Sequence, residues 1–242
     1  AFSAQKQYLN GLTADDYQKK EFKQKDILIP YRLLTPMSLK STRKYPLVIT
    51  LHNSTRLGND NEKQLEPLSR IWLEPHNRRD FQAYVLAPQF ETRSTDYSFD
   101  KERNVIVAKP NANLIALIDL IGQLKKELNI DEKRIYLIGY SMGGSSVQNL
   151  MNLSPSTFAA MISIAAVPDF SAVTALQSKP IWLIHGQKDD ENPFTGSEVL
   201  FATLNQNKKV RFSIYSSLNH NTINSPFLNT QELPKWLFNW KK

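Results

Sequence analysis

Three of the chain's eight glycines fall within six residues, Gly139-Tyr140-Ser141-Met142-Gly143-Gly144, directly behind the apolar run Ile135-Tyr136-Leu137-Ile138. A Gly-x-Ser-x-Gly stretch between a strand and a helix restricts the backbone to a sharp turn with the serine at its apex. Larger residues at the flanking positions would collide across that turn. The serine is expected to hold a strained backbone conformation that lifts its hydroxyl to the rim of a sheet. Val147, Leu150 and Met151 give the following segment a helical apolar face.

The rest of the chain repeats this alternation. Residues 27–34, 47–51, 83–87, 161–165, 181–184 and 210–215 are short apolar or β-branched runs that read as strands. Leu65, Leu68 and Trp72 predict a helix over 62–80. Leu114, Ile115, Leu117, Ile118, Ile121 and Leu124 predict another, capped by Asn111 or Asn113. Further helices are expected over 197–204 and 231–240. Strands alternating with helices imply an α/β fold with a mostly parallel central sheet and helices on both faces. With 242 residues, 41% of them apolar, the chain is expected to form one domain over 1–242. Residues 1–25 read as a polar edge segment leading into a strand. The charged stretch 89–109 reads as an irregular insertion beside a site.

Composition removes several functions. There is no cysteine, so disulfides, thiolate metal sites and cysteine nucleophiles are excluded. No apolar run reaches the length of a membrane span. The net charge of +7 is scattered along the chain, which argues against a nucleic-acid partner. No histidine pair has ligand spacing and no glycine-rich dinucleotide fingerprint occurs, so neither metal nor cofactor is expected. The start Ala1-Phe2-Ser3-Ala4 lacks a basic-then-apolar signal pattern. A periplasmic or secreted location with a leader removed is favoured over a cytoplasmic one. The Asn53-Ser54-Thr55 sequon falls where a glycan would obstruct the proposed site, which favours a prokaryotic source.

A serine hydroxyl needs a base to take its proton and a carboxylate to orient that base. Of the four histidines, only His185 and His220 follow Ser141. His185 ends a strand and reads as structural. His220 lies in the polar loop Ser217-Leu218-Asn219-His220-Asn221 beyond the last strand and is the candidate base. Asp189, Asp190 and Asp169 are the candidate acids, each in a loop after a strand. For the developing oxyanion, the backbone N–H of Met142 is one expected donor. The N–H of Ser54, in the loop after 47–51, is the other.

The ordered series Leu51-His52, Gly58-Asn59-Asp60-Asn61-Glu62, Leu86-Ala87-Pro88-Gln89, Gly139–Gly144, His185-Gly186-Gln187-Lys188-Asp189-Asp190 and His220 resembles the α/β-hydrolase serine esterases. Within that superfamily it is similar to the polyhydroxybutyrate-depolymerase and feruloyl-esterase-like branch, which shares its catalytic domain with prolyl oligopeptidases. The resemblance runs from about residue 20 to the C-terminus. It implies the α/β-hydrolase fold, with Ser141 as nucleophile, His220 as base and Asp189 as acid. Relatives carry His-Gly-x-Gly in the oxyanion loop. Here Asn53 and Thr55 stand at the two glycine positions, and the loop is expected to follow a different path.

The leading expectation is a hydrolase of small-molecule or polysaccharide-linked carboxylic esters. A prolyl-oligopeptidase-like peptidase and a catalytically impaired binding protein are the alternatives. The charged residues of 89–109 argue against a lipase lid. Tyr97 and Trp72 are candidates for an aromatic acyl pocket, with Tyr140 and Asn53 completing the substrate-binding set.

Overall fold

The computed structural model describes residues 1–242. Its strands are β1 (Tyr17–Gln24), β2 (Ile27–Leu34), β3 (Tyr45–Leu51), β4 (Tyr84–Pro88), β5 (Thr95–Asp100), β6 (Val105–Pro110), β7 (Ile130–Tyr140), β8 (Ala160–Ile164), β9 (Ile181–Gly186) and β10 (Val210–Tyr215). Its helices are α1 (Phe2–Gly11), α2 (Pro67–Arg70), α3 (Pro75–Asp80), α4 (Ala112–Glu127), α5 (Met142–Leu153), α6 (Val173–Leu176), α7 (Phe194–Thr203) and α8 (Glu232–Phe238).

Eight strands form one sheet in the order β1-β2-β4-β3-β7-β8-β9-β10. β1 and β2 are antiparallel to their neighbours, and every pairing from β4 to β10 is parallel. The runs of the central strands β3, β4, β8 and β9 lack polar alternation because both their faces are covered. Ile135 and Leu137 of β7 enter a core shared with α4 and α5, whereas Tyr136 and Ile138 point into a second core with Trp72, Phe227 and Leu237. β9 divides in the same way, with Ile181 and Leu183 on one face and Trp182 and Ile184 on the other. No helix is long and apolar enough to cross a membrane.

The chain leaves β3 for β4 on one side and later returns to pair β7 on the other, so the strand order reverses between β3 and β7. In an open α/β sheet that reversal leaves a crevice at the strands' carboxyl ends, where ligands bind. His52 and Ser141 follow the carboxyl ends of these two strands.

Three expectations are corrected. Residues 62–80 are two short helices, because Pro67 and Pro75 each occupy a first helical position and restart the helix. Residues 89–109 are not irregular: 95–110 fold into the β5–β6 hairpin. The tip is fixed by Asp100, which accepts from the N–H groups of Glu102 and Arg103. The polar start of the chain contains α1, whose Leu9 is buried against the second core.

The hairpin covers α5. Ser94 bonds Ser146 at 2.8 Å, Tyr97 reaches Ser145 at 3.3 Å, and Asn149 donates to Ala108 O at 3.2 Å. The helix is therefore buried nearly all round, and its polar side chains bond inside the protein except for Asn149 Oδ1 and Asn152 Oδ1, which have no partner.

Candidate active site

Ser141 sits between β7 and α5 with φ +60° and ψ −119°. Such a conformation costs a non-glycine residue about 1–3 kcal/mol. The surrounding glycines explain how it is enforced. A Cβ at Gly139 would lie 2.3 Å from Gly143 O, across the turn, and one at Gly144 would lie 2.6 Å from Ile164 O. A Cβ at Gly143 would lie 1.9 Å from Leu51 O. That last closeness lets the end of β3 rest on the first turn of α5, which brings the 52–56 loop beside Ser141. The Ser141 N–H donates to Ile164 O at 2.9 Å, tying the turn to β8.

The structure brings Ser141, His220 and Asp189 together. Ser141 Oγ is 2.8 Å from His220 Nε2, and His220 Nδ1 is 2.9 Å from Asp189 Oδ2. The serine and histidine are buried, and the Asp189 side chain is 1% exposed. Burial alone would raise the Asp189 carboxyl. Hydrogen bonds from His185, His220 and the N–H groups of Asn192 and Glu191 outweigh it and hold the group well below the usual carboxylate range. A carboxylate against Nδ1 places the ring proton there and leaves the Nε2 lone pair facing the serine.

Of the other acids, Asp190 is exposed. Asp169 accepts from Asn149 Nδ2 at 2.7 Å and from Ser171 N at 2.8 Å, and so anchors the 165–171 loop to α5 rather than orienting His220. His185 is structural, as expected. It also has a role the sequence did not disclose, because its Nε2 lies 3.1 Å from Asp189 Oδ2 and 2.8 Å from Asn192 O.

The loop after β3 departs from the glycine pattern without strain. Asn53 has φ −82° and no residue of 52–56 has positive φ. The side chain of Asn53 supplies the turn: its Oδ1 accepts from Thr55 N at 2.9 Å and caps the 3₁₀ turn Ser54–Arg56. The first N–H groups of a helical turn have no partner within it, and those of Ser54 and Met142 are in that position. His52 fixes the loop from behind, accepting at Nε2 from Phe90 N (3.0 Å) and bonding Asn53 O through Nδ1 (2.8 Å). Burial pushes it down to about 4, so the ring stays neutral.

Three proposed substrate contacts are corrected. Trp72 is 1% exposed and stacks on Phe238 in the second core, away from the serine. Tyr140 donates to His220 O at 2.5 Å and sets its ring perpendicular to the imidazole, so it supports His220. Asn53 has both ends of its amide engaged, with Nδ2 on Glu66 Oε2 at 2.5 Å. Tyr97 lies on the hairpin beside α5, with Arg93 against its ring.

Glu66 gives no functional signal in the sequence. It reads as an ordinary charged residue before a proline, yet it is buried under the 53–55 turn. Burial pushes its carboxyl up to about 7, against the opposing pull of Arg56 and the Asn53 bond. Glu66 and His52 therefore bias stability in opposite senses. A carboxyl raised from 4.5 to about 7 stabilises the fold at low pH, and that contribution disappears as pH rises through 7. A histidine lowered from 6.5 to about 4 stabilises the fold at high pH, and that contribution disappears as pH falls through 4. Each is worth at most about 3 kcal/mol, and between pH 4.5 and 6.5 they offset one another. Glu66→Gln keeps an acceptor for Asn53 and removes one side of the balance. Its urea midpoint is expected to climb from pH 4.5 to 6.5 by the equivalent of about 2–3 kcal/mol relative to the wild type. Parallel profiles for the two proteins would contradict the assignment.

Residues 86–233 match the Phospholipase/Carboxylesterase family. The chain belongs to this family of α/β-hydrolases. It is 26% identical over 178 residues to the bifunctional acetylxylan esterase/xylanase XynS20E of Neocallimastix patriciarum, a match covering 74% of this chain and 23% of that protein. The crystal structure of a thermostable esterase superposes with a TM-score of 0.85 at 32% identity, covering 94% of this chain and 64% of the other. Porphyromonas gingivalis dipeptidyl peptidase 4 superposes at a TM-score of 0.68 with 16% identity, covering 93% of this chain and 35% of that one, and so shares the fold. The chain thus spans less than two thirds of these relatives' length.

Proposed function

We propose that the chain hydrolyses carboxylic esters through an acyl-enzyme, with Ser141 as nucleophile, His220 as general base and acid, and Asp189 as the group that fixes the His220 tautomer. The carrying observation is the continuous relay from Ser141 Oγ through His220 to Asp189, at 2.8 and 2.9 Å. Ser141 Oγ attacks the ester carbonyl carbon while His220 Nε2 takes its proton. The carbonyl electron pair moves onto oxygen, where the N–H groups of Met142 and Ser54 are the proposed donors. The imidazolium then returns the proton to the departing alcohol. A water molecule, deprotonated by the same nitrogen, releases the acid.

Membership of the Phospholipase/Carboxylesterase family supports esters over amides, and the acetylxylan esterase relative supports polysaccharide-linked esters among them. Nitrophenyl acetate, methyl ferulate, acetylated xylan and peptide amides, assayed side by side, test the reading. At least one ester is expected to exceed every amide in kcat/KM by more than tenfold. A preference for amides would replace this reading with a peptidase.

A further inference from the structure

We propose, building on the ester-hydrolase reading, that Glu191 is a fourth catalytic residue, whose carboxylate stabilises the imidazolium formed when His220 takes the serine proton. In the sequence, Glu191 belongs to an acidic loop that would ordinarily face solvent. In the fold its Oε2 lies 2.9 Å from His220 Nε2, the nitrogen that carries the reacting proton. The contact lacks hydrogen-bond alignment and becomes an ion pair only when the ring is protonated, while the bonding direction of Nε2 is taken by Ser141 Oγ at 2.8 Å. Glu191 therefore does not compete for the serine's proton path.

The backbone holds it there. The N–H groups of Glu191 and Asn192 both donate to Asp189 Oδ1, at 3.0 and 2.8 Å. This turn, built on the orienting acid, carries the Glu191 side chain round to the opposite edge of the same imidazole. Asn192 adds a second tie, donating to Ala165 O at 2.9 Å.

The stabilisation is differential. Before proton transfer the carboxylate faces a nitrogen lone pair and gains nothing from it. After transfer it faces a cation. An interaction that strengthens only along the reaction coordinate lowers the barrier rather than the ground state. The other groups facing the ring are Asp189 on Nδ1, Tyr140 across its face and, through Asp189, His185. Asp189 supplies the first counter-charge and Glu191 the second. The Glu191 side chain is 58% exposed, which limits its effect to that of a solvent-screened pair.

Glu191→Gln separates this role from bulk or packing. The rate constant for labelling Ser141 with a fluorophosphonate, and kcat/KM for a neutral ester, are measured from pH 5 to 9. Above the acid limb the variant is expected to be slower by about two- to fivefold. Its acid limb is expected to move down by about 0.2–0.7 pH unit, so that the two profiles converge or cross in acid. Superimposable profiles, a uniform offset with no movement of the limb, or a faster variant at every pH would each overturn the proposal. Wild-type protein that the fluorophosphonate does not label would instead sink the ester-hydrolase reading, since labelling needs the activated serine and not Glu191.

Discussion

Ser141→Ala is expected to lose ester turnover by at least about 10⁴-fold while the protein keeps its fold, because the hydroxyl is the atom that forms the acyl bond. Its place in the fold sharpens the expectation. The residue sits at φ +60°, where a side chain is tolerated only because β7, β8 and α5 leave the turn no alternative. Alanine keeps that strain, and glycine removes it. Ser141→Gly is therefore expected to be as inactive as Ser141→Ala and more stable than it by about 1 kcal/mol. Urea titration of the two variants beside the wild type measures the difference, and kcat/KM measures the loss. Residual turnover within tenfold of the wild type in either variant would remove Ser141 from the mechanism. Equal stability of the two would show that the turn is not strained at this residue.

The sequence and the structure agree where covalent and steric rules act locally, and part where tertiary contacts decide. The seven expected runs are all strands: those inside the sheet are covered on both faces and so demand near-continuous apolar residues, while the edge run 210–215 keeps polar positions at Arg211 and Ser213. The Gly139–Gly144 turn was legible for the same reason: small residues are needed where backbones nearly touch. The β5–β6 hairpin was missed although its signal was present. Tyr97 and Phe99 alternate with Asp96, Ser98 and Asp100, and Val105-Ile106-Val107 is β-branched. The charged tip Lys101-Glu102-Arg103 masked that alternation. Trp72 was misplaced because helical spacing says that a face is buried without saying against what. The roles of Glu66, Tyr140 and Glu191 are not written in the sequence. Each acts through a partner more than ten residues away in sequence, so only the folded chain reveals it.

Asp189→Asn is expected to lower kcat/KM by about 10⁴-fold, the loss seen when a triad acid becomes an amide and the histidine takes the wrong tautomer. The geometry decides which way the amide turns. Oδ1 accepts two backbone N–H groups, at 3.0 and 2.8 Å, so the carbonyl of an asparagine must occupy that place. The NH₂ is then forced into the Oδ2 position, the nearer of the two oxygens to His220 Nδ1 (2.9 Å, against 3.1 Å for Oδ1) and 3.1 Å from His185 Nε2. A donor facing Nδ1 moves the imidazole proton to Nε2, where it meets Ser141 instead of leaving a lone pair to accept its proton. His185 Nε2 still has Asn192 O at 2.8 Å, so the loop retains an anchor and the fold is expected to survive. The variant should therefore melt cooperatively and resist fluorophosphonate labelling. If it labels at the wild-type rate, the His220 tautomer does not depend on this carboxylate, and the relay read from the geometry is not the one that works.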